Sequence, residues 1–460
     1  GNDPEGSFNL TLTGADGIHD AGIDDSTGAM PAIQANVSYT VSETPPSGYT
    51  VASISCSDSG GDVGNPFSLV GGQDVTCVVV NEDEQPSLTV TKVVENNNGG
   101  TAGPGDFTLR VNGAVIASGG SVPSAQSNLA YTVSEDPVTG YDLVGIECTD
   151  TDTNAAVGNP VTLEEGQNVA CVVTNQDRAP GLTLLKTVVA DNGGTAADTD
   201  WTLSFVGAGA SGSGIEGSPA VTGVAVPAGV YTLSESGPSG YTQTNLSCTG
   251  GTLVGDQLTI SVEDTAVTCT FTNDDEPAQL TLVKNVTNDD GGTAAAGDWT
   301  LVANGPTPIS GASGTPAVTM VDVDAGDYTL SESDGPTAYT AGDWSCSGDG
   351  TLVVDVLTLG NGESATCTIV NDDDPATLTL VKDVINDNGG TAVATDFTLT
   401  ATGPDTISGP SGEPAVTAVE VSAGLYTLSE DDIDGYSLDG WDCSGGANTG
   451  DQLTLENGDD

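Results

Sequence analysis

The sequence predicts an all-β protein built from tandem β-sandwich repeats that follow one another as an elongated rod. Short runs such as residues 88–94 alternate apolar and polar side chains and are rich in β-branched residues, which is the pattern of half-buried strands. Clusters of Gly, Pro, Asn and Asp separate these runs, and no segment keeps a helical period for long. The chain also repeats itself at intervals of about one hundred residues, the size of one sandwich domain.

Each repeat is marked by three strands that occur in a fixed order. A central run, Tyr-Thr-Val/Leu-Ser-Glu, ends at Glu43, Glu135, Glu235, Glu332 and Glu430. An opening strand appears at residues 88–94, 182–188, 280–286 and 378–384. A closing strand ends at Asn81, Asn175, Asn273 and Asn371. These landmarks predict repeats over residues 1–85, 86–179, 180–277, 278–375 and 376–460.

The first and last repeats lack one landmark strand each. Repeat 1 has no opening strand and repeat 5 has no closing strand, so we expect the sequence to be a piece of a longer chain. The alternative is that a neighbouring molecule supplies the missing strand, as in donor-strand fibres. The partners expected are therefore further copies of this protein or the continuation of the same chain.

The charge of the chain excludes one class of partner. Asp and Glu number 66 against 6 Lys and Arg, and the net charge of −60 excludes nucleic acid. No run of apolar residues is long enough to span a bilayer, so we expect no direct insertion into a membrane and a missing export signal. Short acidic linkers that end in proline, such as residues 371–375, indicate semi-rigid connections between repeats.

The cysteines recur in step with the repeats. None shows the close spacing of a zinc site, and structural disulfides formed after export are the favoured interpretation. The pairs are Cys56 with Cys77, Cys148 with Cys171, Cys248 with Cys269, and Cys346 with Cys367. Cys443 is left over, because its partner would belong to the closing strand that repeat 5 lacks.

Three polar residues recur on the apolar side of their strands. Residues two apart in a strand face the same side, so Lys92 lies with Leu88 and Val90. The same parity places Glu135 and Asn175 among apolar neighbours, and every copy repeats it. A buried ammonium and a buried carboxylate are costly unless they meet. We therefore expect the three side chains to lie together.

This grouping suggests a chemical reaction. Burial favours the neutral amine of lysine, which is a nucleophile that can attack the amide carbon of the asparagine. The protonated glutamate would polarise that amide, and the product would be a Lys–Asn isopeptide bond with loss of ammonia. The chain contains only four lysines, and all occupy this one strand position. The alternative is a lysine that extends its amine to the strand end beside ordinary hydrogen-bonded Glu and Asn side chains.

At these residues the sequence resembles the prealbumin-like, CnaB-type repeats of bacterial pilins and surface adhesins, also called SpaA-like domains. The resemblance rests on the lysine of TLVK, the glutamate of YTLSE and the asparagine of TCTIVN. It implies an inverse immunoglobulin-like sandwich with Lys92, Lys186 and Lys284 as cross-link donors. It also implies that Glu135, Glu235 and Glu332 act as catalysts, and that Asn175, Asn273 and Asn371 are acceptors.

The resemblance is incomplete in two respects. Glu43 with Asn81, and Lys382 with Glu430, are sets that lack one member. The cysteine pairs also depart from the Gram-positive members of the family, and they could replace the isopeptide bond as the covalent staple.

A loop rich in Asp, Asn and Gly follows each opening strand. Such loops offer the oxygen ligands that calcium prefers, although the spacing does not match an EF-hand. Calcium is thus a candidate cofactor, with no other cofactor expected, and the alternative is a solvated turn in which Asp caps the next strand. The candidate ligands are Asp289, Asp290, Asp298, Asp387 and Asp396.

The sequence favours a structural function outside the cell, at the bacterial surface. His19 is the only histidine, so histidine-based catalysis cannot recur, and we expect no enzyme other than one that acts on itself. Aromatic residues at the start of a recurring strand are interpreted as core plugs: Phe8, Phe107, Trp201, Trp299 and Phe397. The function predicted is a stalk or filament subunit. The alternatives are an adhesin stalk whose binding tip lies elsewhere and a rod stiffened by calcium.

Overall fold

The computed structural model describes residues 8–15, 17–23 and 33–460, so part of the predicted first repeat lies outside the described residues. The described chain is all-β, as predicted, and its only helices are single 3₁₀ turns. These turns are Pro104–Asp106, Asp198–Asp200, Ala296–Asp298, Ala394–Asp396 and Pro414–Val416. Contacts divide the chain into two compact units. The first comprises residues 1–184, 204–234 and 248–269, and the second comprises residues 185–203, 235–247 and 270–460.

Two sheets form the first repeat. Its strands are β1 (Asn9–Gly14), β2 (Gly17–Ile23), β3 (Ser38–Thr44), β4 (Tyr49–Asp58), β5 (Gly61–Asp62), β6 (Phe67–Ser68) and β7 (Thr76–Asp83). One sheet has the order β2-β1-β3-β6 and the other β5-β4-β7. Among the described residues no strand pairs with β7 on its other side, in agreement with the predicted lack of an opening strand.

The second repeat is complete. Its strands are β8 (Ser87–Glu95), β9 (Leu109–Val111), β10 (Ala114–Ile116), β11 (Gly120–Ser121), β12 (Ala130–Tyr131), β13 (Val133–Glu135), β14 (Tyr141–Asp150), β15 (Ala156–Val157), β16 (Val161–Thr162) and β17 (Asn168–Asp177). The larger sheet has the order β11-β8-β17-β14-β15, and the facing layer contains β10-β9-β13 and the pair β12-β16.

The third repeat contains the same landmark strands. They are β18 (Gly181–Val189), β19 (Thr202–Gly207), β20 (Ala210–Gly214), β21 (Val224–Ala225), β22 (Gly229–Ser236), β23 (Tyr241–Thr249), β24 (Thr252–Val254), β25 (Gln257–Ile260) and β26 (Ala266–Asp275). Within the first unit, β22 pairs antiparallel with β25, and β25 pairs with β24.

The fourth repeat lies wholly in the second unit. Its strands are β27 (Ala278–Thr287), β28 (Leu301–Asn304), β29 (Ile309–Gly311), β30 (Val321–Val323), β31 (Gly326–Glu332), β32 (Tyr339–Ala341), β33 (Ser345–Gly348), β34 (Thr351–Val353), β35 (Val356–Leu359) and β36 (Ser364–Asp373). One sheet has the order β30-β27-β36-β32, with β33 also on β36, and the other has the order β29-β28-β31-β35-β34.

The fifth repeat retains one full sheet. Its strands are β37 (Ala376–Leu378), β38 (Thr398–Thr402), β39 (Thr406–Pro410), β40 (Val419–Val421), β41 (Gly424–Glu430), β42 (Ala447–Thr449) and β43 (Gln452–Leu455). The sheet β39-β38-β41-β43-β42 matches its counterpart in repeat 4, but β37 is short and pairs only with β40. Val381 and Ile385, which follow β37, are more than two-thirds exposed. The opening strand therefore shortens where no closing strand lies beside it.

Repeats 2 and 4 each have their core between two layers of strands. In repeat 4 the inner faces contribute Leu282 from β27, Leu301 from β28, Leu330 from β31 and Ile369 from β36, all buried. Burying each such side chain contributes about 1.5–3 kcal/mol, so these contacts hold the two sheets together.

One hairpin of repeat 4 carries a strained residue. Val354, between β34 and β35, has φ +57° and is 81% exposed. The same position in the neighbouring repeats is glycine, Gly255 with φ +63° and Gly450 with φ +68°. A β-branched residue in this left-handed conformation costs about 1–2 kcal/mol, whereas glycine adopts it freely.

We expect Val354→Gly to stabilise repeat 4 by about 1 kcal/mol, because it removes this strain. Hydrogen exchange of β34 and β35 should slow. The matched control is Gly450→Val, which should destabilise the same hairpin of repeat 5. If the two substitutions shift exchange in the same direction, backbone strain is not the cause.

Candidate cross-linking site

The parallel pairing of the first and last strands places the lysine beside the closing strand. In repeat 2, β8 runs parallel to β17 with Lys92 opposite Val173 and Val94 opposite Asn175. The register is the same in repeat 4, where Lys284 lies opposite Ile369. Since one sheet holds both strands, the lysine and the asparagine project from it into the sandwich interior.

The glutamate reaches the same point from the facing sheet. In repeat 2, Glu135 lies on β13 and pairs with Leu109 of β9. Its side chain is only 4% exposed, and Lys92 and Asn175 are equally inaccessible. The parity argument is thus confirmed for all three residues, which lie on the inner faces of their strands.

In repeat 2, Lys92 contacts both of the other side chains. Lys92 Nζ donates to Asn175 Oδ1 at 2.6 Å and to the carbonyl of Val173 at 3.2 Å. It also lies 3.2 Å from Glu135 Oε2. The amine therefore faces the amide that the sequence names as its reaction partner.

In repeats 3 and 4 the lysine donates a hydrogen bond to the glutamate. Lys186 Nζ donates to Glu235 Oε2, and Lys284 Nζ to Glu332 Oε2, both at 2.7 Å. In repeat 4, Asn371 Nδ2 donates to the other oxygen of Glu332 at 2.8 Å. Asn273 of repeat 3 is buried, but no hydrogen bond joins it to Glu235 among the described contacts. The glutamate of repeat 4 thus bridges amine and amide, as a proton relay must.

Repeats 1 and 5 each contain only two of the three site residues, and in each repeat those two side chains are in contact. In repeat 1, Asn81 Nδ2 donates to Glu43 Oε1 at 3.1 Å, and residues 1–85 contain no lysine. In repeat 5, Lys382 Nζ lies 2.6 Å from Glu430 Oε2. The Lys–Glu and Glu–Asn contacts therefore form independently of the third member.

Burial changes the protonation of the lysines. It lowers the pKa of Lys92, Lys186 and Lys284 below the ordinary value for lysine, and the adjacent glutamate opposes this shift only in part. The neutral, nucleophilic amine is thereby more accessible than it would be in water. Among the buried acceptors, Asn273 Oδ1 and Asn371 Oδ1 have no hydrogen-bond partner. A proton donor placed there would polarise the amide.

An aromatic ring under each lysine was not anticipated as part of this site. Lys92 Nζ lies 4.4 Å from the ring centre of Phe107, and the other lysines lie 4.4–4.7 Å from Trp201, Trp299 and Phe397. These four rings are buried, which confirms the core-plug interpretation for them, while Phe8 is only partly buried. The sequence does contain a signal for this contact, because in each of these repeats the aromatic residue comes just before a strand of the sheet that faces the lysine.

The disulfides join the closing strand to its antiparallel neighbour. Cys148 of β14 lies directly opposite Cys171 of β17, and Cys346 of β33 opposite Cys367 of β36. The structure contains all four bonds predicted, Cys56–Cys77, Cys148–Cys171, Cys248–Cys269 and Cys346–Cys367. Cys443 is a free thiol and accepts a hydrogen bond from Asn448.

The five candidate calcium ligands lie in three different environments. Asp289 and Asp290 lie with Asp373, their carboxylate oxygens within 4.8 Å of one another, and Asp191, Asp274 and Asp275 form the equivalent cluster in repeat 3. Asp298 and Asp396 instead accept backbone bonds from Ala295 and Val393 and close the 3₁₀ turns. Asp387 accepts from the side chain of Asn388.

Family models for a prealbumin-like fold domain match nearly the whole chain. One matches residues 83–173, 177–271, 275–369 and 373–460, and a second model of the same description matches residues 2–83. The chain belongs to this family of SpaA-type prealbumin-like domains. The resemblance inferred from the lysine, glutamate and asparagine positions is thus confirmed.

Several solved structures are similar to the chain at low identity. The Bacillus anthracis TIE protein is 12% identical, with a TM-score of 0.39 over 92% of this chain and 70% of its own. The pilus adhesin SpaC of Lactobacillus rhamnosus GG is 12% identical, with a TM-score of 0.24; the match covers 71% of this chain and 56% of the adhesin. Two B repeats of the Staphylococcus aureus collagen binding protein are 14% identical, with a TM-score of 0.18 over 81% of this chain and 95% of theirs.

Two further comparisons concern the chain as a whole. No curated protein matches it. Among the described residues, the structure contains no helix with the length and apolarity that crossing a membrane requires.

We expect loss of the disulfide in repeat 1, by Cys56→Ser with Cys77→Ser, to destabilise that repeat by roughly 3 kcal/mol, because the bond closes a short loop in the unfolded chain. Residues 1–85 contain no lysine, so in this polypeptide no Lys–Asn bond within that range obscures the effect. Hydrogen exchange in β4 and β7 measures it. Cys443→Ser is the control and should change nothing; equal exchange in all three proteins would contradict the prediction.

Proposed function

We propose that this protein is an extracellular stalk or filament segment of the bacterial surface, whose complete repeats cross-link themselves through Lys–Asn isopeptide bonds. The observation that carries the proposal is the contact of Lys92 with both Asn175 and Glu135 inside the sandwich. The same three residue types are buried at equivalent positions in repeats 3 and 4.

The reaction requires only groups that are present in each complete repeat. The lone pair of the lysine Nζ attacks the side-chain carbonyl carbon of the asparagine, and a new C–N bond forms. The glutamate first donates a proton to the amide oxygen and then relays the amine proton to the leaving nitrogen. The old C–N bond breaks and ammonia departs, while the proton on the oxygen returns to the glutamate as the carbonyl re-forms, so the glutamate ends in its starting state.

The strand order suits a load-bearing role. Tension on the chain pulls β8 and β17 of repeat 2 in opposite directions, because the chain enters at the start of β8 and leaves at the end of β17. The two strands are parallel neighbours, so the load shears all their hydrogen bonds together. A bond from Lys92 to Asn175 would carry this load covalently, and the disulfide of Cys148 with Cys171 would hold β17 to β14.

The extracellular location is supported by the disulfides and by the family. Disulfides form and persist in oxidising compartments, and repeats 1 to 4 each contain one. The family resemblance is to repeats of bacterial pilins and surface adhesins. A surface that carries a charge of −60 also keeps neighbouring molecules apart in solution.

We expect the reduced, intact protein to be lighter than its sequence by one ammonia for each complete triad. Tryptic mapping should yield branched peptides that join Lys92 to Asn175, Lys186 to Asn273 and Lys284 to Asn371. Glu332→Gln should abolish the bond in repeat 4 alone, since the amide cannot relay the proton.

The matched control for that measurement is Glu430→Gln in repeat 5, which lacks an asparagine partner among the described residues. It should change the mass only by the substitution itself. Unmodified lysine peptides from the unsubstituted protein would exclude the isopeptide bond and leave the disulfides as the covalent staples.

Calcium binding at the aspartate clusters is a second candidate property. Burial and the neighbouring carboxylates, including Asp289 and Asp373, raise the pKa of Asp290, which is the strain that a bound cation would relieve. We expect calorimetric titration with calcium to show binding that Asp290→Asn weakens. Asp387→Asn, outside the cluster, is the control; equal heats from both variants would mean only diffuse binding to an acidic surface.

A further inference from the structure

The loop that follows each opening strand is shaped by a buried aspartate of the closing strand. In repeat 2, Asp177 is 3% exposed, and its carboxylate accepts the backbone N–H groups of Asn97, Asn98 and Gly100 at 2.7–2.9 Å. Asp275 and Asp373 hold the same loop in repeats 3 and 4. Burial opposes ionisation of Asp275, yet the loop donors outweigh it and lower the pKa.

The tip of this loop contacts the next repeat through the backbone. The N–H of Ala228 donates to the carbonyl of Asn98 at 2.7 Å, which joins repeats 2 and 3. The N–H of Ala325 donates to Asn192, and that of Ala423 to Asp290, at 2.8 and 2.7 Å. The donor is the equivalent alanine N–H in each following repeat. The accepting carbonyl belongs to an asparagine in two of the loops and to an aspartate in the third.

A glycine at the tip allows this approach. A Cβ on Gly99 would lie 2.4 Å from the carbonyl oxygen of Ala228, and one on Gly291 would lie 2.5 Å from that of Ala423. Gly193 meets Ala325 in the same way. Any side chain at this position would therefore push the two repeats apart.

In the linkers between repeats 3 and 4 and between repeats 4 and 5, one residue forms backbone hydrogen bonds with both of the repeats that it joins. The N–H of Glu276 donates to Gly240 of repeat 3, and its carbonyl accepts from Gly362 of repeat 4, at 2.9 and 3.0 Å. Asp374 forms the same two bonds, with Ala338 and Gly458. Each of these junctions thus has a second backbone contact beside the loop.

We propose that the Asn/Asp-Gly-Gly loop is a docking surface for a following prealbumin-like repeat. It recognises an Ala–Gly pair at the start of the strand that carries the Tyr-Thr-Leu-Ser-Glu run, one residue before the tyrosine. Repeats 3, 4 and 5, which each receive a loop, carry this pair as Ala228–Gly229, Ala325–Gly326 and Ala423–Gly424. Repeats 1 and 2 have Asn36–Val37 and Asn128–Leu129 at that place. The partner is therefore a repeat of the type of 3, 4 or 5.

Repeat 5 presents the same loop, Asn388–Gly389–Gly390, at its surface. A Cβ on Gly389 would meet nothing within 4 Å. The loop lines an open cavity of about 630 Å³ together with Ile433 and Tyr436. This is the surface on which the Ala–Gly pair of a further repeat would fit.

The test compares two substitutions in the full chain. Gly291 and Gly389 have nearly the same backbone conformation, with φ +93° and +86°, so alanine strains both loops alike. Only Gly291→Ala also blocks a junction. We expect it to speed hydrogen exchange of the Ala423 amide about tenfold or more, and Gly389→Ala to leave that amide unchanged.

Equal exchange at Ala423 in both variants would overturn the proposal. Gly193→Ala, read at the Ala325 amide, tests the same contact at another junction if Gly291→Ala does not fold. In a chain lengthened after Asp460 by a second copy of residues 365–460, Gly389→Ala should expose the added copy of the Ala423 amide. If that amide stays protected, the loop of repeat 5 is not a docking surface.

Discussion

The parallel contact between the first and last strands of a repeat is the constraint on which the rest of the structure depends. It brings Lys92 to Asn175 across 83 residues of sequence. It also makes the chain enter a repeat at one end of the sandwich and leave at the other. One strand pairing therefore creates both the candidate cross-linking site and the possibility of repeats in series.

The burial of a lysine explains why a glutamate and an aromatic ring lie beside it. An ammonium group inside a sandwich is tolerated only with a carboxylate and polarisable neighbours, and Lys284 has both in Glu332 and Trp299. Trp299 packs edge-on against Tyr339, whose hydroxyl accepts a hydrogen bond from Ala294 in the docking loop. The lysine site and the inter-repeat contact thus rest on the same aromatic pair.

Side-chain parity was sufficient to predict the site from the sequence, and it was insufficient for the junctions. Alternation places Lys92, Glu135 and Asn175 on inner faces whatever the strand order, so the triad could be inferred without knowing the topology. The parallel register of β8 and β17 could not be inferred from the sequence, because it joins strands that are far apart in the chain. The role of Asp177 also depends on that register, although an aspartate follows two residues after the asparagine in every closing strand.

At the hairpin of Val354, comparison between repeats predicts the turn, whereas the local residue type does not. Its neighbours in the repeat alignment have glycine, so a β-turn was predictable there. The positive φ of Val354 follows from the turn that the other repeats share rather than from any preference of valine. The surrounding sheet therefore overrides the backbone preference of the residue in the turn.

The adjacency of β8 and β17 also determines how much length a stretched chain can release. Unfolding a repeat would ordinarily free its whole sequence as new contour length. With Lys92 bonded to Asn175, the chain segment between them leaves the load path. Its sequence separation of 83 corresponds, at about 3.5 Å per residue, to roughly 290 Å of chain. A filament of such repeats would not lengthen under force, so it could transmit a pull without absorbing it.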